Sequence, residues 1–432
     1  MTLLACLHAL IEDEWHFLGE GWPVVETAKN HRTVLKEVGL ISRIKDTLLK
    51  RLGPIPVYFF LVTIWPKFKY PGPYREVEKG LLLLYHLVKG LSMDEMAPFV
   101  PRSSYHAIHS MFYKKEYTTH NKYITACLST MFSTITTRLV AAKEKNPPLF
   151  KHVTLHVDGH DTRATYDGES KVEMYSYKLK KPGLRTQVAM DCNGMAIWVS
   201  NSASCKSNVD GTMLLAMRLE KKMHAMDCVA VDGGYTQFLK KLTDESEDLG
   251  MQNFAYPVRR KKHQKLSAAE SSYNVTFGSF RSQMEALFGD LGSTFQRHNN
   301  RTPVLVDKKQ TYNLQLKLAL LLLNIKRIVA LLELPAEPIY ASWVQEGFEY
   351  PCEEGDIVEQ PLDLPPLDNI VKNGKSMGQL QQKFLAMQVA DEDVIMDVLE
   401  RRSTTIVIEI PPMKRRNEKT KTVSMHETDE DI

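Results

Sequence analysis

The sequence predicts an α/β chain in which a mixed sheet is preceded by an all-α region. Three observations predict it. The first 150 residues show helical spacing and no clear strand pattern. From 152 to about 300, short β-branched runs alternate with helical stretches. Asn193-Gly194 lies between apolar runs at 184–191 and 195–201, and Asn-Gly in that setting is the strongest short-range hairpin signal.

The elements follow in order. Residues 74–88 read as a helix that Lys89-Gly90 ends, and Ser92 with Glu95 has capping-box spacing for a second over 93–99. Pro101-Arg102-Ser103-Ser104 breaks the chain before a third helix over 104–113. Three short helices with tight turns at 74–113 suit a helix-turn-helix whose last helix enters the major groove. Arg102, Ser103, Ser104, His106 and His109 lie near its start, and an ordinary helical bundle fits the same pattern. Next, 151–158 (KHVTLHVD) predicts a strand ending on Asp158, followed by the hairpin and a helix over 209–223. A strand over 227–232 ends on Asp232; then come a helix over 235–242, a strand over 252–258, and a long helix around 280–295. Residues 314–332 are long enough to span a membrane, but Lys317, Lys326 and Arg327 interrupt them, so a buried helix with one wet edge is expected. Three antiparallel strands followed by alternating helices and strands give a mixed sheet covered on both faces, the order of the ribonuclease-H-like fold.

Composition sets the outer limits. The 432 residues suffice for two or three domains, and 43% hydrophobic with 25% charged residues is globular usage. Six cysteines without a CxxC or a close pair fit reduced thiols in an intracellular protein, not a disulfide framework. Residues 1–11 are apolar but lack a basic n-region, so no signal peptide is expected. The net charge of +3 hides a separation. Nine acids and no Lys or Arg lie between Pro335 and Asp368, whereas eight Lys/Arg face three acids between Ala255 and Arg301. The expected division is a helical region over 1–150, a catalytic domain over 151–333, and an acidic, proline-rich segment with a polar tail over 334–432. Lys414-Arg415-Arg416 in that tail could act as a nuclear-import signal.

The carboxylates carry the chemistry. Asp158 and Asp232 end strands that neighbour one another in a sheet of this order, and a helix crossing the sheet edge could bring Glu285 to the same place. Acids at strand ends are common on their own, because loops are wet and Asp favours turns; the trio is what points to a site. Three such charges repel, and a hard divalent cation removes the penalty, since Mg²⁺ (or Mn²⁺) takes carboxylate oxygens and tolerates phosphate as a further ligand. Two ions about 4 Å apart would activate a nucleophile and stabilise the leaving oxygen of an in-line phosphodiester displacement. His156, Asp158 and His160 alternate along the same strand, which leaves a Zn²⁺ or Mn²⁺ set as a rival reading.

Residues 152 to about 300 resemble the catalytic domain of the Harbinger (PIF) group of DDE transposases and their domesticated relatives. The matching stretches are VDGHDTR (157–163), SYKLKKPGLRTQVAMDCNGMAIWVS (176–200), VAVDGGYT (229–236) and FRSQMEALFGDL (280–291). The resemblance implies that the family's three metal ligands fall on Asp158, Asp232 and Glu285. The chain departs from the pattern twice. The family's Gly-x-x-His-Asp reads Ser207-Asn208-Val209-Asp210 here, and the Lys and Arg that often follow the helix glutamate are replaced by Gly292-Ser293-Thr294.

Two basic groups offer phosphate contacts: Lys178, Lys180 and Lys181 with Arg185, and Arg259, Arg260, Lys261 and Lys262 with His263 and Lys265. A solvated charged surface is the plain alternative for each. The resemblance implies a Mg²⁺- or Mn²⁺-dependent DNA endonuclease or transposase acting on double-stranded DNA in the nucleus, with a Myb-like accessory protein as partner and no membrane. An oligomer is compatible with it. The alternative is a domesticated relative that binds DNA or protein without cutting.

Overall fold

The computed structural model describes residues 38–345, except 69, 72–74, 98, 101, 166–173, 261–264, 302, 306–307 and 336. The N-terminal part is helical: α1 (Val38–Leu52), α2 (Pro54–Phe59), α3 (Glu76–Lys89), α4 (Met93–Met96), α5 (Arg102–Ser110), α6 (Tyr117–Thr130) and α7 (Ile135–Lys145). The expected capping box between Ser92 and Glu95 closes α4, with the Ser92 N–H donating to Glu95 at 2.6 Å. α3 is buried from Val77 to Val88. α5 buries Tyr105, Ile108 and His109 and leaves Ser103 and His106 exposed. That packing is what either a helix-turn-helix or a plain bundle requires.

The sheet comes next: β1 (Leu155–Thr165), β2 (Tyr175–Ser176), β3 (Lys181–Asp191), β4 (Ala196–Val199) and β5 (Ala203–Ser204). Then follow α8 (Asp210–Ala216), β6 (Val229–Ala230), α9 (Thr236–Asp244), β7 (Phe254–Ala255), α10 (Ala268–Thr294), β8 (Val304–Leu305) and α11 (Lys309–Leu331). The main path is β2-β3-β1-β6-β7, with β4 and β5 on β3 and β8 on β1. β3 is antiparallel to β1 and β4, whereas β6 is parallel to β1 and β7. This curled mixed sheet among helices is consistent with a ribonuclease-H-like domain. The β3–β4 turn is the expected one, and Gly194 adopts the positive φ (81°) that a side chain would resist.

Several boundaries differ from the sequence expectation. β1 does not end at Asp158 but runs to Thr165, because its antiparallel partner β3 continues alongside as far as Gly183. The helix expected over 209–223 stops at Ala216, since Arg218 takes a left-handed conformation (φ 54°) and only a 3₁₀ turn follows. β6 and β7 shrink to two residues each. α10 begins well before 280, started by a capping box between Ser267 and Glu270.

One apolar cluster runs from Ile44 through the sheet to Trp343. At its centre lies α11, buried from Thr311 to Ile325, as expected for the apolar stretch with interrupting charges. Lys317 is itself buried and donates to Asn121 Oδ1 (2.9 Å) and Thr125 Oγ1 (3.1 Å) on α6, so its charge is solvated by protein rather than water. Asn324 pins β4 through both the N–H and the carbonyl of Ala196. Among the described residues no single helix is long and apolar enough to cross a membrane.

Candidate active site

The site follows from strand register. β1 and β6 are parallel and pair Leu155 with Val229 and His156 with Ala230. Two residues further along each chain stand Asp158 and Asp232. In-register residues of parallel strands point to the same face and lie about 4.8 Å apart, so the two aspartates come side by side where β6 ends. On this edge β1 regains a strand neighbour only at Ala164, which pairs with Val304 of β8. Between them, Asn300 takes the Asp161 carbonyl and the Arg163 N–H.

The two aspartates share a local geometry. Each accepts a hydrogen bond from the N–H of the glycine after it, Gly159 at 2.7 Å and Gly233 at 2.6 Å. Gly159 lets side chains close in on β1: a Cβ there would stand 2.5 Å from Asp210 Oδ1 and 3.1 Å from Gln187 Nε2, so both side chains would have to shift. The Arg281 guanidinium on α10 then spans both carboxylates, with Nη2 3.3 Å from Asp158 Oδ2 and Nη1 3.5 Å from Asp232 Oδ1. Asp158 is mostly shielded and Asp232 open, with side-chain exposures of 19% and 57%.

α10 travels along β1. Phe280 packs on His156 (ring centroids 4.6 Å apart) and Phe288 on His160 (4.7 Å). Eight helical residues rise about 12 Å and four strand residues about 13 Å, so the helix keeps pace with the strand. The middle of that span, at Met284 and Glu285, is level with Asp158. Met284 faces the core and Glu285 is exposed, one turn beyond Arg281 on the same stripe. Among the described residues no hydrogen bond or ion pair joins Glu285 to either aspartate, and no group of three His, Cys, Asp or Glu side chains is placed to hold a metal ion. Two of the three expected acids therefore meet, through a cation, and Glu285 lies one helical turn beyond that cation, exposed.

The rival histidine set does not form. His156 and His160 do share the face of Asp158, but Phe280 packs on one ring and Phe288 on the other, and no group of three ligands forms around them among the described residues. Among the described residues His156 has no hydrogen-bond partner for either ring nitrogen.

A network that sequence reasoning missed supports β1 from the other side. Asp161, directly opposite Arg185 across the β1–β3 ladder, is gripped by its Nε (2.6 Å) and Nη2 (2.7 Å) and by the Ser176 hydroxyl (2.6 Å). Burial would raise this carboxyl, but those hydrogen bonds outweigh it and hold Asp161 below the usual range. Arg185 Nη1 also reaches Asp210 at 3.2 Å, and Gln187 links Asp210 (3.1 Å) to the Tyr235 hydroxyl (2.8 Å). Burial holds Asp210 above the ordinary carboxylate range, with Arg185 opposing and Asp161 and Asp158 adding to it. Asp210 is the residue left of the motif at 207–210, and its pairing with a long-range arginine had no local signal.

The basic groups fall on both flanks of the acids. Lys178 Nζ donates to the Gly159 carbonyl at 3.3 Å, next to Asp158, and Arg259 donates to the Gly233 carbonyl, next to Asp232. Lys178, Lys180, Lys181, Arg259 and Arg260 are exposed, whereas Arg185 is committed to Asp161 and Asp210. Lys261, Lys262 and His263 lie outside the described residues, as does the tail with Lys414-Arg415-Arg416. Of the helical candidates, His106 is exposed and Ser104 half-buried at the start of α5, which Arg102 opens. They belong to a different part of the chain, and no described contact joins them to the acids.

Residues 158–324 match the family model described as DDE superfamily endonuclease. The match opens on Asp158 and contains Asp232, Arg281 and Glu285. No curated protein and no solved structure matches the chain.

Proposed function

We propose that the chain is a divalent-metal-dependent DNA endonuclease of the transposase type, related to the Harbinger (PIF) group, with Asp158, Asp232 and Glu285 as the metal-binding acids. The observation that carries this reading is the parallel register that sets Asp158 beside Asp232, within the segment that matches the endonuclease family. The donor chemistry suits the group: Asp158 and Asp232 offer hard carboxylate oxygens at one end of neighbouring strands, the kind of ligand Mg²⁺ or Mn²⁺ takes, and Arg281 stands between them as a cation. When bound, one or two such ions supply Lewis-acid stabilisation and a deprotonated water for in-line attack on a phosphodiester.

The chain's own residues hold the substrate. Lys178 beside Gly159 and Arg259 beside Gly233 would take phosphates on either side of the acids, with Lys180, Lys181 and Arg260 extending the path; Lys261 and Lys262, next in sequence, are further candidates. Arg102, Ser104 and His106 at the start of α5 would contact duplex DNA at a separate place, with a Myb-like accessory protein supporting binding and nuclear entry. Arg185, Asp161, Asp210 and Gln187 keep β1 and β3 in register so that Asp158 does not drift.

The test is cleavage of duplex DNA bearing the element's own terminal repeats, with Mg²⁺ or Mn²⁺, by the full chain. Binding to those ends without metal-dependent cutting would favour a domesticated DNA-binding relative instead.

A further inference from the structure

Two arginines near the site meet aspartates in different ways. Arg185 grips Asp161 with two nitrogens at 2.6 and 2.7 Å, about the 2.7–2.9 Å of strong charged hydrogen bonds, and both partners are shielded. Arg281 gives one nitrogen to each of two carboxylates, at 3.3 and 3.5 Å, both beyond that range. Its Nε is buried and finds no hydrogen-bond partner among the described residues. The first is a clamp; the second is a cation straddling two anions.

The straddling position has a physical reason. The β1–β6 register forces two carboxylates side by side, and a cation between them relieves their repulsion. A guanidinium supplies one positive charge against two negative ones, and Glu285 one turn on adds a third. A divalent ion taken by the same oxygens would neutralise more of that charge and would repel the guanidinium from it. The loose contacts and the unpartnered Nε leave little to hold Arg281 there once such an ion arrives.

Resting on the metal-dependent reading above, the geometry points to Arg281 as a positioning residue: a resident counter-cation that holds Asp158 and Asp232 together before the divalent ion binds and competes with that ion for them. It thereby sets the site's metal affinity as well as its geometry.

The test is calorimetric titration of the full chain with Mn²⁺ in the absence of DNA, together with thermal melting in EDTA and in saturating Mn²⁺. Arg281→Gln should bind Mn²⁺ more tightly than wild type, on the order of five- to tenfold, since two partly shielded ion pairs no longer have to be broken. It should also melt earlier in EDTA and gain more from Mn²⁺. Arg281→Lys keeps the charge but reaches one carboxylate at a time, so it should fall between the two, and it carries the comparison if Arg281→Gln does not fold without metal. If Asp158→Asn loses Mn²⁺ binding while Arg281→Gln binds no more tightly than wild type, the competition is overturned and the metal site stands. If wild type and Asp158→Asn titrate alike, the metal site itself fails and the competition with it.

Discussion

Asp158 and Asp232 stand two residues beyond the last paired positions of parallel strands, and one guanidinium, that of Arg281, lies between their carboxylates. Backbone register bridges their separation of 74 residues in the chain, and Arg281 links the two side chains. Their backbone positions are thus set by the sheet, and the side-chain torsions adjust when the charge between them changes.

The first prediction follows from that fixed placement. Asp158→Asn keeps size and hydrogen-bonding capacity but removes the charge that would hold a cation. Metal-dependent cleavage should fall to background, while DNA binding stays intact or strengthens because a repelling charge near phosphate is gone. Asp232→Asn and Glu285→Gln should behave alike in a nicking assay paired with a binding measurement. A Glu285→Gln enzyme of ordinary activity would remove Glu285 from the ligand set.

Asp161 behaves differently from its neighbour. Its side chain is 1% exposed and held by Arg185 and Ser176. Asp161→Asn should therefore lower stability by ~3 kcal/mol, the scale for removing one partner of a buried pair. Cleavage per folded molecule should persist at low temperature, since Arg185 still has Asp210. Denaturant melts and low-temperature activity measured on the same preparation check both halves. An unchanged melt with lost cleavage would exchange the roles of Asp158 and Asp161.

Strand-end acids and the Asn-Gly hairpin were legible because they are local: apolar runs, a turn pair and an acid at a predictable offset. The expectation that Asp158 ends its strand fails, because the extra length of β1 is supplied by β3 and not by its own pattern; Asp158 stands two residues past the last β1–β6 pair. The Asp161–Arg185 pair depends on a register set across a long hairpin connection, which one sequence does not specify. Arg281 was visible as the residue one turn before Glu285, but its role needed the alignment of α10 with β1, a tertiary fact carried by Phe280 and Phe288. The acidic segment after 345 lies outside the described residues.

The flanking cations give a salt-dependent prediction. Lys178→Ala and Arg259→Ala should each weaken duplex binding with little regard to sequence, and each should reduce the slope of log affinity against log salt by about 1. Fluorescence titrations between low and moderate salt report the slopes. A slope equal to that of wild type in either variant would return that residue to the ordinary solvated surface.

The last prediction concerns acid stability and lies away from the acids. His86, on α3, is buried beside His109 and pulled down to about 4, chiefly by burial and then by Arg297, although its Nε2–H donates a hydrogen bond to the Leu91 carbonyl. Burial likewise holds His109 well below its ordinary value. Both rings are neutral in the folded chain near pH 6, whereas the unfolded chain protonates them below about 6.5. The unfolded state then binds more protons, so their contribution is fully present above about pH 6.5 and is lost as pH falls toward 4. Each ring adds a slope of at most about 1.4 kcal/mol per pH unit in that window. Chemical denaturation at pH 7.5, 6 and 5 should show the decline. His109→Leu, which fills the space without a titrating group, should flatten the slope by about one proton's worth. A wild-type stability that is level from pH 7.5 to 5 would mean that these rings are not buried neutral between α3 and α5.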